Sequence, residues 1–261
     1  MFMNSNLRKH IRHYTLNLLS LMSKPKPGVH ILNGHFLSLN NSTSNIVFKI
    51  LLEKLIKNGI NLINIQDACD KIINKSFSIK NCEVAFTFDD GFEECFTKIA
   101  PVLDSYNLKA AFFVNPGFID GNENYRQNFL KNIVCINSPK NPMSWNQLIK
   151  LKNNNHIIGA HTLDHQRLQA APEAETQIVK CKELIQEKTN GTCDYFAFPY
   201  GRLEDFDELS LQIASKYYKF IFSQSDYRNY FSFQGKVINR RHFECDWPHR
   251  HVLYFLKSKS I

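Results

Sequence analysis

EVAFTFDDGF, residues 83–92, is an apolar, β-favouring run that ends in two adjacent carboxylates and a glycine. The run predicts a strand that breaks at Gly91. Similar strand-like runs recur on both sides: VHIL (29–32), INLINI (60–65), AAFFV (110–114), HIIGA (156–160), YFAF (195–198), KFIF (219–222) and KVIN (236–239). Helical periodicity fills the intervals near 45–58, 93–106, 145–153, 173–189 and 206–217. A repeated strand-then-helix order predicts an α/β protein with a parallel sheet, open or closed into a barrel. Residues 116–143, rich in Asn, Gly and Pro, predict an insertion over one rim.

At 261 residues, with 43% hydrophobic and 13% aromatic residues, the chain can bury the core of one α/β domain. A net charge of +8 is compatible with an anionic partner, but no basic motif of a nucleic-acid module accompanies it, and no nucleic-acid partner is expected. The seven cysteines lack any CxxC spacing, which points away from a structural zinc site or disulfide framework and towards reduced thiols in a cytoplasm. Residues 1–28 have basic residues before the short apolar stretch LNLLSLM, which reads as uncleaved. Within 7–24 an amphipathic helix would either touch a membrane surface or pack on the protein's own barrel. No segment reaches the roughly 20 apolar residues of a membrane span.

In parallel α/β folds the site gathers at the C-terminal strand ends, so residues after each apolar run are the ones that matter. Asp89 and Asp90 follow one run, and the break at Gly91 lets the two carboxylates diverge into separate roles. Capping a following helix is the alternative use of Asp90. HIIGAHTLDH (156–165) places His161 and His165 four apart, so that a helical turn would aim both imidazoles at one cation, at bond lengths of about 2.0–2.1 Å. Two histidines and a carboxylate from neighbouring strand ends would make an open catalytic metal site. A third end, YFAFPYGR (195–202), carries the rigid turn Pro199-Tyr200-Gly201, able to aim a backbone N–H at a developing oxyanion.

Together these motifs resemble the polysaccharide deacetylase family, the NodB-like carbohydrate esterases. TFDD is present as Thr87–Asp90 and H[ST]xxH as His161–His165, and the flanks FTKIAPVLDSYNLKAAFFV and MSWNQLIKLKNNNHIIGAH are similar to the family's framework. The third motif, Ala197-Phe198-Pro199-Tyr200, looks like the FAYPYG-type branch. The resemblance covers about residues 28–256. It implies a distorted (β/α) barrel of about seven parallel strands as the catalytic domain (28–261), preceded by a basic extension (1–27). It further implies metal-dependent removal of N-acetyl groups from amino sugars.

Carried over, the resemblance makes Asp90, His161 and His165 the ligands of a divalent cation, most often zinc, with cobalt, nickel or manganese as alternatives. Asp89 becomes the base that deprotonates water, and the Tyr200 amide part of the oxyanion site. Pro199, Tyr200 and Trp247 would contact substrate; Asp246-Trp247 is similar to the family's fourth motif. The Arg that orients the base, absent from the third motif, would come from Arg240 or Arg241. His35, just after the first strand-like run, is nominated as the acid that protonates the leaving amine, with His242, His249 and His251 as rivals. The expected substrate is an N-acetylated sugar of a surface glycan or of its nucleotide- or lipid-linked precursor. A deformylase, another C–N hydrolase or a catalytically silent sugar-binding barrel are the alternatives.

Overall fold

The computed structural model describes residues 5–21 and 23–260; the side chains of residues 5–10 and 12 lie outside the description. An N-terminal helix α1 (Ser5–Leu21) precedes strand β1 (Gly28–Gly34), α2 (Ile46–Lys57), β2 (Ile60–Leu62), α3 (Ile65–Ile73) and β3 (Cys82–Phe88). A π-helical turn (Cys95–Ile99) leads into α4 (Ala100–Ser105), followed by β4 (Ala111–Val114), α5 (Pro116–Asp120), α6 (Glu123–Asn128), α7 (Trp145–Asn153) and β5 (Ile157–Ala160). Then come α8 (Ala174–Thr189), β6 (Tyr195–Ala197), α9 (Glu208–Tyr217), β7 (Phe220–Ser223), β8 (Phe231–Ser232), β9 (Val237–Asn239), β10 (Arg241–His242) and α10 (His249–Phe255).

The sheet runs β10-β1-β3-β4-β5-β6-β7-β9-β8, parallel throughout except for the β8–β9 pair. Strands β9 and β10 are one extended segment with a break at Arg240. Its first half pairs with β7 (Phe222 with Ile238) and its second with β1 (Leu32 with Arg241), so the segment joins the two sides of the curled sheet. The result is a distorted barrel of parallel strands, as expected, with β2 added beside β3.

Strand alternation divides the core. Val84, Phe86 and Phe88 of β3 join a cluster with the outer helices, which includes Leu52 of α2, Leu103 of α4 and Ile178 of α8. The intervening positions pack on the other face with Val29, Ile31, Ala85, Phe113, Phe222 and Ile238, together with Ile65 and Ile72 of α3. Each buried large side chain contributes about 1.5–3 kcal/mol. The inner columns change character at their C-terminal ends: Val29 and Ile31 lead to Asn33, Ala85 leads to Thr87 and Asp89, and Ile238 leads to Arg240. Every one of these polar groups is buried.

One expectation is corrected, and the insertion gains internal structure. The run INLINI is a strand only to Leu62; α3 begins at Ile65, where Asp67 supplies a carboxylate in the first turn. The 116–143 insertion is largely helical, with α5, α6 and a π-helical turn (Phe129–Ile133), because Phe118 and Phe129 stack at 4.1 Å between ring centroids and form a small core with Phe36 and Phe92.

Candidate active site

Asp89 and Asp90 leave β3 in different directions because the backbone switches hand: Asp90 has φ 70° and Gly91 φ 73°. A Cβ at Gly91 would also lie 3.0 Å from Val114 of β4, so only glycine suits the turn. Asp89 continues the inner column and meets Arg240 in a two-pronged ion pair, Nη1 to Oδ1 and Nη2 to Oδ2, both 2.9 Å. Arg240 is wholly buried, and its other hydrogen bonds go to the Ser223 carbonyl, Asn33 Oδ1 and Thr87 Oγ1. Asn33 donates from Nδ2 to Asp89 Oδ2 at 2.9 Å. Burial alone would raise the Asp89 pKa, but the Arg240 charge and hydrogen bonds, helped by His161, hold it below the usual carboxylate range.

Asp90 turns to the histidines. Its Oδ1 lies 3.5 Å from His161 Nε2 and 3.3 Å from His165 Nε2, and the ligand-type atoms of the three residues all fall within 4.8 Å of one another. Burial opposes ionisation of Asp90, yet the two facing imidazoles bring its pKa down, while burial opposes and the two aspartates raise that of His161. Asp90 Oδ1 and His165 Nδ1 are buried without hydrogen-bond partners. His161 Nδ1 donates to the Ala197 carbonyl at 2.6 Å, which leaves the Nε2 lone pair facing Asp90. A shared unsatisfied carboxylate oxygen between two imidazole nitrogens is the donor set of a divalent cation with an open coordination position.

The two histidines do not lie on a helical turn. The 161–168 segment is an irregular loop in which Thr162 (φ 61°) and His165 (φ 57°) adopt left-handed backbone. Asn115, at the end of β4, bonds through Nδ2 to the carbonyls of His161 and Thr162, and the Gly117 N–H donates to the Leu163 carbonyl at 2.9 Å. The neighbouring strand end, rather than an i, i+4 helix, thus brings the rings to a 5.0 Å centroid distance.

These groups open into one cleft of about 380 Å³, which also holds His35, Tyr200, Gln224, His242 and residues 133–136 of the insertion. Pro199 is buried beside Tyr200, which has φ 62° and places its ring 4.8 Å from that of His165. Burial holds the His35 ring below its ordinary pKa against the pull of Asp90, and its centroid is 5.4 Å from that of His242. His242 pairs with Glu244 (Nε2 to Oε1, 2.9 Å) and with Gln224 (2.8 Å to Nδ1).

Other expected residues lie elsewhere. Arg241 stacks on Phe255, with its guanidinium carbon 3.7 Å from the ring centroid, so Arg240 is the arginine at Asp89. Trp247 lines an adjoining cleft, as does His251, while His249 opens α10. Asn33, Asn115 and Glu244 do not stand out in the sequence as site residues, and Thr87 enters there only as the first residue of TFDD; the available signal for Asn33 and Thr87 is a polar side chain interrupting an inward-facing apolar column.

Residues 79–218 match the family described as Polysaccharide deacetylase. The chain belongs to the polysaccharide deacetylase family. A peptidoglycan-N-acetylglucosamine deacetylase of Bacillus cereus is 32% identical over 124 residues, 46% of this chain and 37% of that protein's length, so this deacetylase-family chain aligns with well under half of that relative. Among solved structures, the Streptococcus pyogenes deacetylase PplD, in complex with acetate, superposes with a TM-score of 0.68 at 19% identity, covering 89% of this chain and 99% of that one. IcaB from Ammonifex degensii gives 0.69 at 19% identity, covering 89% and 98%. At such identities the structures share the family's fold.

Proposed function

We propose that the chain is a metal-dependent N-deacetylase that cleaves the acetamide of an amino sugar in a surface glycan or its precursor. The observation that carries the reading is the meeting, in one cleft, of a buried Asp-His-His cluster with a second aspartate clamped by a buried arginine. A divalent cation held by Asp90, His161 and His165, zinc before cobalt, nickel or manganese, would polarise the acetamide carbonyl and acidify a water.

The remaining work falls to the protein's own groups. Asp89, kept ionised and oriented by Arg240 and Asn33, accepts the proton of the attacking water as the water oxygen adds to the carbonyl carbon. The Tyr200 N–H, on its left-handed turn, donates to the resulting oxyanion. As the C–N bond breaks, the nitrogen takes a proton and acetate leaves. His35 is neutral at rest, so it would gain that proton within the cycle; His242, in the same cleft and paired with Glu244, is its rival. Pro199 fixes the turn that carries Tyr200.

Residues 28–261 would form the catalytic unit and 1–27 an extension. Helix α1 of that extension turns an apolar stripe outward: Ile11, Tyr14, Leu18 and Leu21 are 47%, 67%, 53% and 63% exposed at helical spacing, whereas Leu16 and Ser20 face the protein. The first carboxylate of the chain is Glu53, after Arg8, Lys9, Arg12, Lys24, Lys26 and Lys49. An outward apolar stripe in a purely cationic stretch supports docking on an anionic membrane surface. Of the 7–24 segment, Met22 and the side chains of 7–10 and 12 lie outside the described residues. No described helix is long and apolar enough to cross a membrane. Seven free cysteines, six of them buried, support a reducing, cytoplasmic setting at the inner membrane face.

The test is acetate and formate release by the purified protein from N-acetylated glycans, lipid-linked sugars and nucleotide sugars, before and after chelation and after re-addition of zinc or cobalt. Acetate release that is lost on chelation and regained with metal is expected. Turnover in a metal-free preparation overturns the mechanism, and formate in place of acetate assigns deformylation instead.

A further inference from the structure

We infer that Asp205 and Arg167 form a positioning pair that holds the metal-type cluster and the Tyr200 N–H, the donor proposed for the oxyanion, in a fixed relation to each other. The assignment rests on the deacetylase reading and adds to it two residues outside the catalytic cleft. The two halves of the site come from different connections: His161 and His165 from the loop after β5, Tyr200 from the turn after β6. The register of β5 with β6 is the pair Ala160 with Phe196, so the ladder ends before either half begins. What holds loop and turn together must lie beyond the strands.

Asp205 is where the two meet. It closes the 3₁₀ turn Leu203–Asp205 and is fully buried. Its carbonyl accepts from the N–H groups of Leu168 and Gln169, just past the histidine pair, at 3.1 and 3.0 Å. Its carboxylate accepts the Arg202 N–H through Oδ2 at 3.2 Å, close behind Tyr200, and its Oδ1 lies 2.5 Å from Arg167 Nη1. Arg167 completes the link: its guanidinium carbon lies 4.7 Å from the centroid of the Tyr200 ring, which packs edge-on against His165. A buried carboxylate stripped of its cation is costly, so Asp205 draws the guanidinium back onto Tyr200 although 52% of the Arg167 side chain is exposed. The turn needs such support, because Tyr200 and Gly201 both have left-handed backbone, at φ 62° and 70°. Gln224 holds its other side through an N–H to the Gly201 carbonyl at 2.8 Å.

A misplacement of about 1 Å in a catalytic group can cost about 10²-fold. A donor to charge that exists only in the transition state acts on kcat rather than on substrate binding. The experiment measures acetate release from an N-acetylated glycan by the full chain and its variants, with zinc content and urea midpoint on the same preparations. Arg167→Gln should lower kcat about 10- to 100-fold, with KM changed by less than about twofold and zinc retained. Arg167→Lys, which restores a cation facing Asp205, should regain most of that loss. Asp205→Asn combined with Arg167→Gln leaves no unpaired buried carboxylate and keeps an acceptor for the Arg202 N–H. This double variant should keep a urea midpoint near the parent's and lose no more activity than Arg167→Gln alone, since the two residues act as a unit. Parent-like kcat in the double variant overturns the assignment. So does a raised KM at unchanged kcat, which would make Arg167 a substrate contact, or zinc lost in step with activity, which would make the pair a brace of the metal loop alone. No acetate from the parent protein refutes the deacetylase reading itself, and the pair's role with it.

Discussion

Asp89 and Asp90 are neighbours in sequence with opposite surroundings, and mutation should separate them. Asp90→Ala removes the oxygen that both imidazoles face, so bound metal should be lost. Asp89→Asn keeps the metal cluster but removes the proton acceptor, and kcat should fall by roughly 10²- to 10⁴-fold. Metal content by elemental analysis, beside acetate release, checks both; equal metal loss in the two variants would contradict the division. The proton donor is tested in the same cleft. An amine leaves poorly unless protonated, whereas an activated ester needs no acid. His35→Ala should therefore slow amide cleavage while sparing ester hydrolysis, and His242→Ala should have the smaller effect. If only His242→Ala shows that split, the acid role passes to the His242–Glu244 pair.

At the scale of elements, α1 serves two surfaces. Its inward residues line the cleft adjoining the catalytic one, and its outward stripe of Ile11, Tyr14, Leu18 and Leu21 has no cover in the described structure. Leu18→Glu with Leu21→Glu places charge on that stripe away from both clefts. Co-sedimentation with vesicles containing anionic lipid should drop about tenfold or more, since removing buried apolar area and adding repulsion act together, while acetate release from a short soluble glycan stays at the parent rate. Unchanged sedimentation of the double variant would show that α1 does not dock there.

Across the whole molecule, acid stability depends on a histidine far from the chemistry. His30, on the inner barrel strand β1, is buried and donates from Nε2 to the Lys26 carbonyl at 3.0 Å. Burial first, and the Lys259 charge second, lower its pKa from 6.5 to about 3, so the folded protein keeps it neutral. Below pH 6.5 the unfolded chain binds this proton and the folded chain does not, so stability falls as pH drops from 6.5 towards 3. Between pH 7 and pH 5 the loss from this group alone is about 2 kcal/mol. His30→Gln keeps an N–H for the Lys26 carbonyl without a titrating ring. Urea unfolding at the two pH values should show the variant losing less stability than the parent over that interval; equal losses would refute the assignment.

The order of strands and helices, the polar strand ends and the TFDD and HTLDH motifs were legible in the chain itself, because alternation, helical periodicity and glycine breaks act over a few residues. The same local rules misplaced the histidine pair on a helical turn. Asn115 and Gly117 draw that loop onto the end of β4, a contact no local pattern encodes. Likewise, the sequence offered Arg240 and Arg241 as alternatives, and barrel closure chose between them. Arg240 sits at the break between β9 and β10 and reaches Asn33 across 207 residues and Asp89 across 151, while Arg241 lands on Phe255. Which side chains share a cleft depends on which strand ends meet when the sheet curls shut, and that pairing is fixed only by packing the whole core.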